Sequence, residues 1–154
     1  MVDLVVEFCG LRFRNPVLTA AGPPVRDAER IKRCIEGGAG GIVTKTISVK
    51  AAEPDIPRPH MAEVKGAFIN AELWSELSLE DWVNRELKIA REATRKAGIP
   101  LIVSVGHKPE EVKEVTNTVA DYADAFEVVT LYLGEKVAFM VGPIKAAKRA
   151  NPTA

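Results

Sequence analysis

The sequence predicts an α/β protein made of about four successive strand-then-helix units. Short β-branched apolar runs, too brief for helices, alternate with longer stretches of helical apolar spacing, and Gly or Pro marks most junctions. Composition agrees: of 154 residues, 47% are hydrophobic and 27% charged, with neither Gly nor Pro in excess. A chain this long buries roughly 70% of its unfolded surface as one domain.

Leu4 to Phe8 and Leu11 to Phe13 read as two short strands around Cys9-Gly10, an N-terminal hairpin over residues 1–14. After Asn15-Pro16, the run Val17 to Ala21 is the first buried strand, closed by Gly22-Pro23-Pro24. Asp27 caps a helix in which Ile31, Cys34 and Ile35 recur at helical spacing, and Gly37-Gly38 ends it. Gly41 to Ser48 has the β-branched richness of a strand inside a parallel sheet. Residues 49–68 hold Pro54, Pro57 and Pro59 with little periodicity and read as a long surface loop of the functional kind.

The next helix is the clearest element. Ser78 and Asp81 have capping-box spacing, Leu79, Trp82, Val83, Leu87, Ala90 and Ala97 share a face, and Gly98 and Pro100 end it. Leu101 to Val105 is the third strand. Pro109 suits a first helical position, with Val112, Val115 and Val119 on the buried face. Ala125 to Leu131 reads as the fourth strand, and Val137 to Ala150 as a fourth helix with a restart at Pro143. Strand alternating with helix implies a parallel sheet with right-handed crossovers. A complete (β/α)8 TIM barrel needs about 250 residues. The expectation is therefore the first half of one: a single half-barrel domain over 1–154, with the four βα units in 15–154.

Several function classes are excluded. The 21 Lys plus Arg balance the 21 Asp plus Glu, so no electrostatic footprint for nucleic acid or an anionic membrane exists. No apolar stretch approaches the roughly 18 to 20 residues that span a bilayer. Two cysteines, Cys9 and Cys34, and the absence of a basic apolar leader fit a reducing cytoplasm. Gly37 to Gly41 follows a helix and opens a strand, the reverse of a dinucleotide loop, so its reading is a helix cap and turn. Thr44-Lys45-Thr46 lacks the glycine that a phosphate-cradling loop places before its lysine.

Lys45 has another interest. A lysine within an apolar strand must carry its charge to the strand end or to a partner, and the strand end is the rim where barrel sites collect.

Three segments then fall in a telling order. They are Asn15-Pro16-Val17 with Ala20-Ala21-Gly22, Gly41 to Ser48, and Phe68-Ile69-Asn70-Ala71-Glu72-Leu73 with Ser75-Glu76. Their order and spacing resemble the dihydroorotate dehydrogenase and dihydropyrimidine dehydrogenase superfamily over residues 4–131. The resemblance implies a (β/α)8 barrel carrying FMN at its C-terminal rim. It implies that Ala20, Ala21 and Gly22 approach the flavin, that Lys45 and Thr46 contact its polar edge, and that Ser104 faces it. Asn70 and Glu72 match positions that meet the substrate ring, where amide and carboxylate read adjacent donors and acceptors. His107, just beyond, reads as solvating the rim rather than as catalytic.

The chain departs from the family in two respects. Where the family's fourth strand reads Glu-Leu-Asn-Leu-Ser-Cys, this chain has Glu127-Val128-Val129-Thr130-Leu131-Tyr132. The substrate asparagine and the cysteine acid/base are absent, leaving Thr130 and Tyr132 as the catalytic candidates. The phosphate grip, which such barrels place after strands seven and eight, falls outside four units. The favoured function is an FMN oxidoreductase half that moves a hydride between flavin and a small ring substrate. A second-half barrel chain or a second copy is expected to complete it. The alternative is a non-catalytic, self-associating half-barrel; a lyase using Lys45 as a Schiff-base amine ranks third.

Overall fold

A computed structural model describes residues 2–51, 61–70, 74–130 and 137–150. Strands β1 (Val6–Phe8) and β2 (Leu11–Phe13) pair antiparallel around Cys9-Gly10, with Val6 opposite Phe13. Helix α1 (Ala28–Glu36) follows a 3-10 turn at Pro23–Val25, and the Asp27 side chain accepts the Arg30 N–H at its start. Strand β3 (Ile42–Val43) comes next.

Part of the stretch expected as a bare loop is ordered differently. Strands β4 (Met61–Val64) and β5 (Ala67–Asn70) form an antiparallel ribbon turning at Lys65-Gly66. Phe68 and Ile69 remain exposed on it.

The long helix begins with α2 (Leu79–Asp81), where the Ser78 and Asp81 side chains each bond the other's backbone N–H. It widens into a π turn at Trp82–Glu86 and continues as α3 (Leu87–Ala97). Strand β6 (Leu101–Gly106), helix α4 (Pro109–Val119), strand β7 (Ala125–Val129) and helix α5 (Val137–Ala150) complete the order. Pro143 lies inside α5, which runs on without a restart there.

The central sheet is parallel in the order β3-β6-β7. Val17–Thr19 joins its β3 edge through a parallel bridge between Leu18 and Gly41, although it forms no longer strand. Four chain segments thus lie side by side in sequence order, the arrangement of successive βα units.

Side chains on β6 divide by parity, since a strand turns successive residues to opposite faces. Leu101, Val103 and Val105 enter the core with Leu87 and Ala90 of α3 and Val112, Val115 and Val119 of α4. Each such burial contributes roughly 1.5–3 kcal/mol. Ile102, Ser104 and Gly106 face the other way, as do Ala125, Glu127 and Val129 beside them. Phe126 and Val128, between those residues, pack on the core. Helices therefore cover one face of the sheet, and a polar row runs along the other.

The strand beginnings are closed by Phe13, which is 1% exposed. A Cβ on Gly41 would stand 2.8 Å from its ring, and one on Gly40 would stand 2.1 Å from the Asn15 carbonyl oxygen. The strand ends, opposite this plug, are where the candidate residues collect.

Candidate functional site

Thr19 ends its strand in an unusual way. Its hydroxyl donates to the Val43 carbonyl at 2.9 Å and accepts the Val43 N–H at 2.8 Å, standing in for a backbone rung. The chain then leaves the sheet through Ala20, Ala21 and Gly22 into the turn at Pro23–Val25. That turn stays beside the sheet, because the Lys45 N–H donates to the Val25 carbonyl at 3.2 Å.

Beyond β3 the pairing with β6 slips by one residue. Val43 pairs with Ile102 and Ile47 with Val105, so four steps on one side face three on the other. The extra residue is a β-bulge over Thr44–Thr46, a device that re-aims side chains near sheet ends. It explains why Gly41 to Ser48 is not a continuous strand. Thr44 fills the gap in the ladder: its Oγ1 accepts the Ser104 N–H at 3.1 Å.

The bulge carries Lys45, only 2% exposed. Burial pushes its ammonium below the ordinary lysine value; the Glu76 carboxylate opposes that shift and the Arg26 guanidinium adds to it. Thr46, next along, bonds Ser104 Oγ at 3.0 Å, and Ser104 donates to Glu127 Oε1 at 2.9 Å. Thr46, Ser104 and Glu127 therefore form a connected row across three strands, with Thr46 and Ser104 buried and Glu127 exposed.

Trp74 reaches the same end of the sheet. A Cβ on Gly106 would meet Trp74 Cη2, Thr46 Cγ2 and Val129 Cβ at 3.2 Å each, a tight fit that would ask these neighbours to give by a few tenths of an ångström. The neighbouring Ser75 is fully buried and accepts the Trp82 indole N–H at 2.7 Å. The π turn that presents Trp82 also presents Glu86, whose carboxylate accepts the Ala28 N–H at 2.7 Å and ties this helix to the start of α1.

Ala20, Ala21, Gly22, Lys45, Thr46 and Ser104 are thus on segments that meet at the strand ends. Thr130 directly follows β7 and is half-buried. Glu72 and Tyr132 lie outside the described residues, and of Asn70 only the backbone, opposite Met61, is described. Among the described residues no group of three or more His, Cys, Asp or Glu is placed to hold a metal ion. No helix among them is long and apolar enough to cross a membrane.

This arrangement has close counterparts in sequence. The family model for dihydroorotate dehydrogenase matches residues 3–130. The chain belongs to the dihydroorotate dehydrogenase family. It is 36% identical over 126 residues to the catalytic subunit of dihydroorotate dehydrogenase B (NAD(+)) of Methanothermobacter thermautotrophicus, covering 81% of this chain and 39% of that protein. The subunit of the same name from Methanocaldococcus jannaschii is 30% identical over 126 residues, covering 81% of this chain and 40% of that protein. That of Thermococcus kodakarensis is 29% identical over 161 residues, covering 98% and 51%. The chain spans about two-fifths to one-half of the length of these relatives.

For this member of the dihydroorotate dehydrogenase family, sequence motifs located Lys45, Thr46 and Ser104 but passed over four residues that shape the same end. Thr19 and Trp74 lie beside the motifs rather than within them, and Glu127 stood out only as part of a departing motif. The available signal for Glu127 was alternation: a carboxylate between apolar neighbours on a strand marks a second, polar face. His107 was set aside as a solvated side chain. Nothing in composition announces its backbone, which holds φ at 88°.

Proposed function

We propose that the chain is the N-terminal, flavin-ring side of an FMN-dependent oxidoreductase, a half-barrel domain spanning 1–154 with an N-terminal hairpin in 1–14 and four βα units in 15–154. The observation that carries this reading is Lys45, a buried cation lifted on a bulge beside the Thr46–Ser104–Glu127 row. This donor set suits the edge of an isoalloxazine ring. A cation offsets negative charge on the reduced ring, and the Thr46 hydroxyl, whose proton goes to Ser104, keeps lone pairs that suit the ring's N–H groups. The backbone of Ala20–Gly22 would lie along the ring, with Lys45 and Thr46 at its polar edge and Ser104 beneath.

Bound flavin supplies hydride transfer to or from a small ring substrate. The chain's own part is to bind and orient. Asn70 and Glu72 would read the substrate's donors and acceptors, while the buried face around Ser104 excludes water. Tyr132 falls at the position of the family's cysteine and Thr130 two residues before it; these two are assigned the proton, without the asparagine and cysteine that specify a pyrimidine. A small ring substrate is therefore as far as the assignment goes.

The relatives' greater length supports a need for completion. Among the described residues no strand pairs beyond β7 on one side of the parallel sheet or beyond Val17–Thr19 on the other, and Glu127, at the end of the row, is exposed. A second-half barrel chain is the expected partner, and a second copy the alternative. Two free thiols, Cys9 and Cys34, support a reducing compartment.

The test mixes this chain with the remaining part of the barrel, produced separately, and follows flavin through gel filtration. Yellow protein at the size of the complex is expected. A colourless complex at saturating FMN would end the proposal, and Lys45→Met should bleach an otherwise yellow one. A self-associated chain that stays colourless with every partner would favour the non-catalytic reading.

A further inference from the structure

Ala28 opens α1, and its N–H, one of those that a helix start leaves without an intrahelical partner, is met from another element. Asp27 takes the Arg30 N–H, while the Glu86 carboxylate, 5% exposed, takes the Ala28 N–H at 2.7 Å. Burying that charge is costly, and the positive end of α1 together with Arg85 Nη1 at 3.1 Å offsets it. Glu86 reaches this place from the π turn at Trp82–Glu86, a rare form of helix that gathers at functional sites.

The tie continues toward Lys45. Val25 stands three residues before Ala28, at most about 11 Å along the chain. It is fully buried, and its N–H donates to the Gly22 carbonyl at 3.1 Å, closing the turn at Pro23–Val25. Its carbonyl accepts the Lys45 N–H at 3.2 Å. A short path therefore runs from Glu86 through Ala28 and Val25 to the backbone of the bulge. The charges that act on the ammonium hang from the same frame. Arg26 lies within this path, and Glu76 follows Ser75, which accepts the Trp82 indole N–H from the π turn at 2.7 Å.

We propose that Glu86 is a positioning residue: set by the π turn and seated on the Ala28 N–H, its carboxylate holds the Pro23–Val25 turn against the bulge and so fixes where the Lys45 ammonium stands at the strand ends. The inference rests on the proposed function for what the ammonium meets there, the edge of a flavin. The tie from Glu86 to Lys45 exists without flavin.

The first arm of the test uses the chain alone, with its lysines isotopically labelled at Cε and titrated by NMR; Lys45→Met assigns the Lys45 signal. Glu86→Ala should let water reach the ammonium and raise the Lys45 pKa toward its ordinary value. Loss of a negative charge by itself would lower that pKa, so a rise marks displacement. Glu86→Gln, whose side-chain carbonyl still accepts the Ala28 N–H, should keep the pKa at or below the wild-type value. Ala28→Pro deletes the same bond from the other side while keeping a sound helix start, since Pro suits the first helical position and Asp27 before it is extended. It should shift Lys45 in the same direction as Glu86→Ala, and the two together should shift it no further than the larger single. Asp124→Asn, which loosens the opposite, starting end of the strands, should leave the Lys45 titration unchanged.

The second arm uses the complex with the remaining barrel and compares its affinities for reduced and oxidised FMN. Glu86→Ala should lower the ratio of reduced to oxidised affinity about tenfold, the scale of moving one charge a few ångströms from another, and Glu86→Gln should keep it. A Lys45 titration indifferent to Glu86→Ala and Ala28→Pro, or one moved as far by Asp124→Asn, overturns the inference and leaves the flavin reading standing. So does a yellow complex whose affinity ratio ignores Glu86→Ala. A wild-type complex without flavin overturns both.

Discussion

Thr46 and Ser104 share a hydroxyl–hydroxyl hydrogen bond of 3.0 Å between neighbouring strand segments. Ser104 spends its own proton on Glu127 Oε1, so Thr46 must be the donor between them. Ser104→Ala should thus strand a buried Thr46 proton and cost about 1–3 kcal/mol, read from urea unfolding. The double variant with Thr46→Val should be less damaging than the two single losses combined, because both partners of the bond are then gone. Additive losses would mean that the hydroxyls do not interact.

Lys45 should show the opposite of a stabilising residue. Burial lowers its pKa, so the unfolded state holds the proton more tightly and stability increases as pH rises through the folded-state value toward the ordinary 10.5. Lys45→Met should therefore lose part of the alkaline gain. Denaturant midpoints at pH 7 and 9.5 for both proteins check this. A strongly destabilised variant would assign the lysine a structural duty instead.

The acid limb belongs in part to Asp124. Burial works to raise its carboxyl, but hydrogen bonds from Arg91 and the Leu101 N–H, with the charges of Arg91 and Arg95, outweigh it and hold the pKa below the ordinary 3.8. Its contribution is complete above that ordinary value and disappears as pH falls through the lower folded-state value. Asp124→Asn should be less stable at pH 6 and show a flatter decline below pH 4, measured by thermal unfolding across that range. An unchanged acid limb would count against the pairing.

Gly40→Ala should be the harshest small substitution. Its Cβ would fall 2.1 Å from the Asn15 carbonyl oxygen, which is backbone and cannot swing aside, so a loss of about 3 kcal/mol or more is expected. Gly37→Ala, whose Cβ comes no nearer than 3.3 Å, is the control. Melting temperatures that fall equally would show that the Asn15 segment moves freely.

Local chemistry was legible in the sequence. Asp27, the Ser78 and Asp81 pair, Gly98 and Pro109 mark helix boundaries through contacts made within a few residues. What escaped depends on a second strand. The bulge at Lys45 exists only against β6, since nothing in Thr44-Lys45-Thr46 itself says that four positions face three. The β4–β5 ribbon was hidden because prolines earlier in the segment mask a short pairing register. At the site, residue types located Lys45, Thr46 and Ser104. The coupling to Glu127 and the seat of Trp74 required knowing which faces the strands share.

Thr19 leaves a structural legacy out of proportion to its size. By imitating both halves of a peptide unit toward Val43, its hydroxyl allows a sheet to finish at that point while the main chain departs at once. Exchange for valine, equal in shape but mute, would oblige the following alanines to take over as rungs. The departure of Ala20–Gly22 from the sheet is in this sense released by a single oxygen atom.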